Sequence, residues 1–312
     1  MCGRFAQAMC LDEILEIVES KGIEIDKNIL DEHNNEVMHK SNMKGIDESD
    51  QKVHSPEHNQ SSAHNWITNQ IKPTSKAESK DSRDTKSARH AEAKKSLNIA
   101  PHDDVYVYVN SNGVKGFKLM NWAFVPSFKN SETTTKHTIF NTRSESITSN
   151  SPKHKFNHFF ECAKHQRGIV FMQGYYEWQR DGKNIVPYYI KDKSEKLLCA
   201  LAIWSTSTFS IITMPAAQDL RYIHDRMPVI IDFNKEDISK WVDDDYSSSM
   251  ELIKPKIGLE SYIVSSSVNK VGIEKPGMNL PIKQTDVLSF FKKRGADTID
   301  KEINKKKTKT NQ

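Results

Sequence analysis

The chain opens Met1-Cys2-Gly3-Arg4-Phe5. A small second residue such as Cys permits removal of Met1 by methionine aminopeptidase, which would leave Cys2 with an α-amine and a thiol on adjacent carbons. A 1,2-aminothiol of this kind reacts with an aldehyde in two steps. The amine condenses to an imine, and the thiol then closes a five-membered thiazolidine. The ordinary pKa is about 7.7–8.0 for such an amine and about 8.5 for the thiol, so both nucleophiles exist in useful fractions at neutral pH. Taken alone, an ordinary penultimate cysteine is the better reading. The other three cysteines, Cys10, Cys162 and Cys199, form no CxxC pair. That argues against a zinc site or a disulfide framework and for a reducing compartment, cytosol or nucleus. Six of the twelve histidines fall between residues 31 and 95 at irregular spacing, a poor pattern for a metal site.

The elements that must position these groups are unevenly distributed. The 312 residues carry 45 Lys+Arg against 41 Asp+Glu, a formal charge of +4, and only 36% are apolar. Residues 31–95 hold 13 apolar positions in 65 with neither helical nor strand period, so the segment reads as a disordered polar insertion. Residues 292–312 read as a frayed basic tail. Setting both aside leaves 226 residues, the size of one domain spanning 1–291. The tail carries +5 and the remaining core about −1, so the basic balance does not belong to the core. No apolar run reaches the length of a membrane span, and the first thirty residues lack the pattern of a secretory signal.

Within the core, short β-branched and aromatic runs predict strands. They lie at Val105 to Val109, Gly116 to Trp122, Gly168 to Met172, Val186 to Ile190, Leu197 to Trp204, Phe209 to Met214, Val229 to Ile231 and Tyr262 to Val264. Helical stripes are fewer: Leu11, Ile14, Leu15 and Val18; then Phe156, Phe159, Phe160 and Ala163; and a third region from Trp241 to Lys254. Strands and helices do not alternate regularly, so an α+β domain with antiparallel, barrel-like sheets is expected instead of a doubly wound parallel one.

Six ordered blocks span this core: Met1-Cys2-Gly3-Arg4, Asn98-Ile99-Ala100-Pro101, Trp122-Ala123-Phe124-Val125-Pro126, Phe140-Asn141-Thr142-Arg143-Ser144-Glu145, Gly174-Tyr175-Tyr176-Glu177-Trp178 and Ile223-His224-Asp225-Arg226-Met227-Pro228. Together they resemble the SRAP family, the SOS-response-associated peptidase domain proteins that shield abasic sites in DNA. The resemblance implies one site built from Cys2, Asn141, Glu177 and His224. An abasic deoxyribose is mostly a closed hemiacetal, so proton transfer must open the ring before the aldehyde is available, work suited to a Glu and a His. His224 would serve the sugar oxygens and Glu177 the Cys2 amine, while the Asn141 amide steadies the amine or the adduct. Read singly, Glu177 has a core carboxylate satisfied by Arg143 or Arg226 as its alternative, and for His224 an ordinary hydrogen-bonded histidine is the better reading. Thr142 departs from the family's usual Ala, Ala123 from Gly and Ser146 from Thr.

The same resemblance points to single-stranded DNA bearing abasic sites as the partner, with no metal or organic cofactor. Arg4, Arg143 and Arg226 suit phosphate contacts beside the lesion, with local pairing to Glu145 or Asp225 as the alternative. Asn98 joins the expected DNA contacts. Phe128, where the family often has Trp, suits stacking on a neighbouring base, with core packing as its competitor. Residues Gln284, Val287, Phe290 and Phe291 match a sliding-clamp interaction motif, Q-x-x-Ψ-x-x-F-F, followed by Lys292, Lys293 and Arg294. A final amphipathic helix is the alternative there. The expectation is thus a monomeric, non-membrane, nuclear protein (cytoplasm being the other compartment) that links covalently to abasic DNA through Cys2. A cysteine autopeptidase and a non-covalent DNA-binding adaptor are its rivals.

Overall fold

The computed structural model of the chain describes residues 3–26, 93–125, 139–148, 158–182 and 184–282. In chain order the elements are β1 (Arg4–Gln7), α1 (Leu11–Ser20), β2 (Ser96–Ile99), β3 (Asp104–Ser111), β4 (Val114–Asn121), β5 (Asn141–Arg143), α2 (Ser144–Thr148) and α3 (His158–His165). They continue with β6 (Arg167–Met172), β7 (Gly174–Asp181), β8 (Asn184–Lys191), β9 (Leu198–Ser205), β10 (Thr208–Pro215), β11 (Arg226–Pro228), β12 (Ile230–Ile231), α4 (Lys235–Val242), α5 (Tyr246–Met250) and β13 (Glu260–Ile263). A short 3-10 turn, Ser266–Asn269, follows.

Five strands close a ring. β10 meets β4, β4 meets β3, β3 meets β6, β6 meets β9, and β9 returns to β10. Every residue of β6 and of β9 is buried, as expected for strands covered on both faces. The second sheet runs β13-β8-β7-β1-β2 and is antiparallel throughout. The fold is therefore the expected β-rich, mostly antiparallel one with few helices. Parallel pairing occurs where β10 meets β4 and β5. Turn chemistry fixes register in the β3–β4 hairpin, where Asn112 and Gly113 both take positive φ, 57° and 85°, as a two-residue primed turn requires.

One apolar core joins ring and sheet, with Phe5 of β1 and Tyr175 of β7 packed among ring residues. Trp122 stacks on Phe209 at 6.3 Å and 10°, and its indole N–H donates to the Phe140 carbonyl at 2.8 Å. A smaller cluster lies on the other face of the second sheet, where Tyr176 and Tyr189 meet Val264, Val268 and Met278. In α1, the Cys10 amide donates to the Glu13 carboxylate at 2.7 Å, and Ile14 and Val18 form its buried stripe.

Two expectations need correction. Residues 93–95 belong to the folded part: Ala93 is buried, and the Lys94 amide donates to the Asp104 carbonyl. The rest of the insertion, and the tail, lie outside the described residues. Trp241 does not begin a helix. It lies near the end of α4, which Asn234 caps by accepting from the Asp237 amide, and Asp245 opens α5 separately.

Candidate active site

Glu177 sits mid-strand in β7. Strand alternation sends Tyr176 and Trp178 to the outer cluster and Tyr175 and Glu177 toward the core. Glu177 is 3% exposed. Burial pushes its carboxyl above the usual carboxylate range, with His224 among the opposing influences. Its Oε1 accepts the Trp178 amide at 3.3 Å. The motif glycine at 174 has a steric reason: a Cβ there would stand 2.4 Å from Tyr189 Cζ and 2.7 Å from the Ile190 carbonyl. Only Gly lets β8 approach at that point.

His224 lies in the turn before β11, where its own amide and that of Ile223 point back to the Leu220 carbonyl. Its Nε2 stands 4.0 Å from Glu177 Oε1. Two neighbours compete for Nδ1, the Arg226 amide at 3.0 Å and Asp225 Oδ1 at 2.8 Å. They require opposite protonation of the same atom. The amide can only donate, whereas the carboxylate of Asp225, 84% exposed, is free to turn to solvent, so the amide decides. Nδ1 accepts, and Nε2 carries the proton that faces Glu177.

Asn141 opens β5, which runs parallel along β10 with Asn141 opposite Ile211. The carbonyl just before it, Phe140, is held both by Trp122 and by the Ile211 amide. β5 and β11 thus flank the same end of β10. An ion pair joins β11 to α2, which follows β5 directly: Arg226 grips Glu145 through both terminal nitrogens, each at 2.9 Å, while Nη2 also donates to the Thr213 carbonyl at 2.7 Å. This pair ties the segment bearing Asn141 to the turn bearing His224. Glu145 is held at about 2 by its hydrogen bonds to Arg226.

The other expected contacts separate. Arg226 is no solvent-facing phosphate ligand, because its fork is occupied by Glu145. Asn98 is buried, donating to the carbonyls of Lys270 and Ile273 at 3.0 and 3.1 Å. Its Oδ1 accepts from Arg4 Nη1 at 3.3 Å, so it steadies Arg4 and has no surface left for DNA. Arg4 lies opposite Tyr176 and shares its face, away from Glu177. There it donates to the Val268 carbonyl at 2.8 Å, with Trp178 5.9 Å away. Arg143 is exposed and makes no ion pair among the described residues. The hydroxyl of Thr142 is taken up by Ser210 at 2.8 Å, with both side chains buried, which explains how the departure from Ala is accommodated. Cys2, Phe128, Gln284, Val287, Phe290 and Phe291 lie outside the described residues.

Sequence reasoning treated Glu145 only as a rival partner and missed its bridging role. The signal lay in its position four residues after Asn141, within the same block. Two further cysteines are excluded as nucleophiles, since burial pushes the Cys162 thiol up to about 12 and raises that of Cys199 as well.

Comparison with known proteins identifies relatives of the chain. The chain is 27% identical over 216 residues to a Saccharomyces cerevisiae protein named Abasic site processing protein YMR114C, covering 64% of this chain and 56% of that one. It is 31% identical over 187 residues to Abasic site processing protein YoaM of Bacillus subtilis, covering 56% and 79%. With Abasic site processing protein HMCES of Gallus gallus it shares 30% identity over 197 residues, 53% of this chain and 57% of that one. The match thus spans little more than half of the yeast and chicken proteins. A solved structure from Bacteroides thetaiotaomicron has the same fold, with a TM-score of 0.51 at 24% identity, covering 61% of this chain and 87% of that one. Residues 1–271 match the family model for SOS response associated peptidase (SRAP), and the chain belongs to that family.

Proposed function

We propose that this chain captures abasic sites in single-stranded DNA through a thiazolidine between Cys2, exposed by loss of Met1, and the C1′ aldehyde of the opened sugar. One observation carries the reading: a buried carboxyl faces an imidazole nitrogen at 4.0 Å, on a strand paired directly with β1, the strand that starts two residues after Cys2. Covalent geometry keeps the Cys2 Cα within about 7.6 Å of that of Arg4, at roughly 3.8 Å per residue. The names of the relatives support the substrate class.

In the proposed reaction the C1′ hydroxyl loses a proton while O4′ gains one and the C1′–O4′ bond breaks. His224 serves these oxygens through Nε2. The Cys2 amine adds to C1′, and water leaves to give the imine. Glu177, whose carboxyl burial raises above the usual carboxylate range, passes a proton from the amine to the departing oxygen. The thiol then adds across the C=N bond, its sulfur joining C1′ and its proton passing to nitrogen, so one water is released overall. Asn141 orients the amine or the adduct. Arg143 supplies a phosphate contact beside the lesion. Gln284, Val287, Phe290 and Phe291 would dock a sliding clamp in a nucleus. A pull-down in which Phe290→Ala/Phe291→Ala still binds the clamp would remove that part.

The test uses Met-free protein and uracil-glycosylase-treated single-stranded DNA, scored for an adduct that survives denaturant. Wild type should form it and Cys2→Ala should not. No adduct from wild type, or an undiminished one from Cys2→Ala, overturns the proposal. The family's description as a peptidase keeps a second reading in view, and Cys2-dependent peptide cleavage without any adduct would favour it.

A further inference from the structure

Tyr222 is a large aromatic side chain left 52% exposed two residues before His224. It is nevertheless firmly anchored. Its ring meets that of Tyr188 edge to face, with centroids 5.8 Å apart at 86°. Its hydroxyl lies 3.0 Å from Ser261 Oγ, and its carbonyl accepts from Gln179 Nε2 at 3.0 Å. These three anchors come from three adjacent strands, β7, β8 and β13.

Register shows that they share the face that carries Glu177. Tyr188 is directly opposite Glu177, Gln179 follows Glu177 by two along β7, and Ser261 is opposite Ile190, which follows Tyr188 by two along β8. Tyr222 therefore spans the sheet beside the Glu177–His224 pair. An aromatic ring serving only the core would be buried, whereas this one keeps its surface open at the rim of the site.

We propose that Tyr222 is a stacking platform for the base next to the abasic sugar. The inference rests on the abasic-DNA reading above. An abasic gap deprives the neighbouring base of one stacking partner, and a rigid ring at the rim replaces it at little ordering cost. Stacking of this kind is tolerant of sequence, as a lesion sensor requires.

The experiment uses single-stranded DNA carrying a tetrahydrofuran abasic analogue, which has no aldehyde, with 2-aminopurine placed on its 5′ or its 3′ side. Wild type should quench the probe on one flank. Tyr222→Phe and Tyr222→Trp should retain that quenching and bind within about twofold of wild type. Tyr222→Leu keeps an apolar side chain against Tyr188 but no π-face, so it should lose the quenching and bind roughly 5- to 100-fold more weakly. Unchanged quenching and affinity in Tyr222→Leu overturn the proposal, as does equal loss in Tyr222→Phe. Because the analogue cannot react, this result is independent of the Cys2 chemistry. Wild type that quenches through Tyr222 yet forms no adduct with true abasic DNA would keep the platform and defeat the covalent reading. An adduct without Tyr222-dependent quenching would do the reverse.

Discussion

Replacing Glu145 with Gln tests whether the bridge between α2, which follows β5 directly, and β11 organises the site. Glu145 is held at about 2 against an ordinary 4.5, with its hydrogen bonds to Arg226 as the largest cause. At about 1.4 kcal/mol per pH unit that difference sets a ceiling of about 3.4 kcal/mol. The two ends differ, however: the Arg226 side chain is 9% exposed and that of Glu145 56%. Water screens the carboxylate, so about 1–2 kcal/mol is expected at pH 7, between values for surface and buried pairs. For a domain of this size that is a loss of about 2–8 °C in Tm. The sign with pH follows from a carboxylate depressed on folding. Its stabilisation is complete above 4.5 and drains away as pH falls toward 2, with about two-fifths left at pH 3. Wild type and Glu145→Gln, compared by urea unfolding from pH 7 to pH 3, should therefore differ fully at pH 7 and converge in acid. The same variant should slow capture several-fold at saturating DNA. Equal stability at pH 7, or a gap that persists undiminished at pH 3, would refute the bridge.

Other outcomes follow from the same geometry. Glu177→Gln should raise stability at neutral pH, because a carboxyl raised by burial destabilises the fold as pH climbs past its unfolded value, and should slow adduct formation; an unchanged or lowered Tm at pH 7 contradicts this. Gly174→Ala should cost about 1–3 kcal/mol through overlap with Tyr189 and the Ile190 carbonyl, read by denaturant midpoint. Arg143→Ala should reduce the slope of log affinity against log salt by about 1 for non-reactive single-stranded DNA, whereas an unchanged slope would remove Arg143 from the phosphate contacts.

The strands that periodicity predicts are the five of the ring, β3, β4, β6, β9 and β10, with β12 beside β9 and with β8 and β13 at one side of the second sheet. The five it does not predict, β1, β2, β5, β7 and β11, carry Arg4, Asn98, Asn141, Glu177 and Arg226. β7 is the instructive case. A carboxylate occupies one of its core-facing positions, so the alternation of apolar and polar residues reads wrongly there. β5 and β11 have three residues each, too few for a period, and β11 ends in Pro228. Ordered motif blocks nevertheless found these residues. What they could not convey was partnership: that Arg226 turns inward to Glu145, that Asn98 is buried beneath Arg4, and that Tyr222 stands beside the site. Those depend on which strands meet, and local sequence does not encode it.

The central claim is a specific bond, and intact mass spectrometry reads it most directly. Met-free protein incubated with abasic single-stranded DNA, without reductant, should give a species equal to protein plus oligonucleotide less one water. Fragmentation should place the link on Cys2. A cross-link located at a lysine, or no such species under conditions where the DNA is bound, would contradict the account.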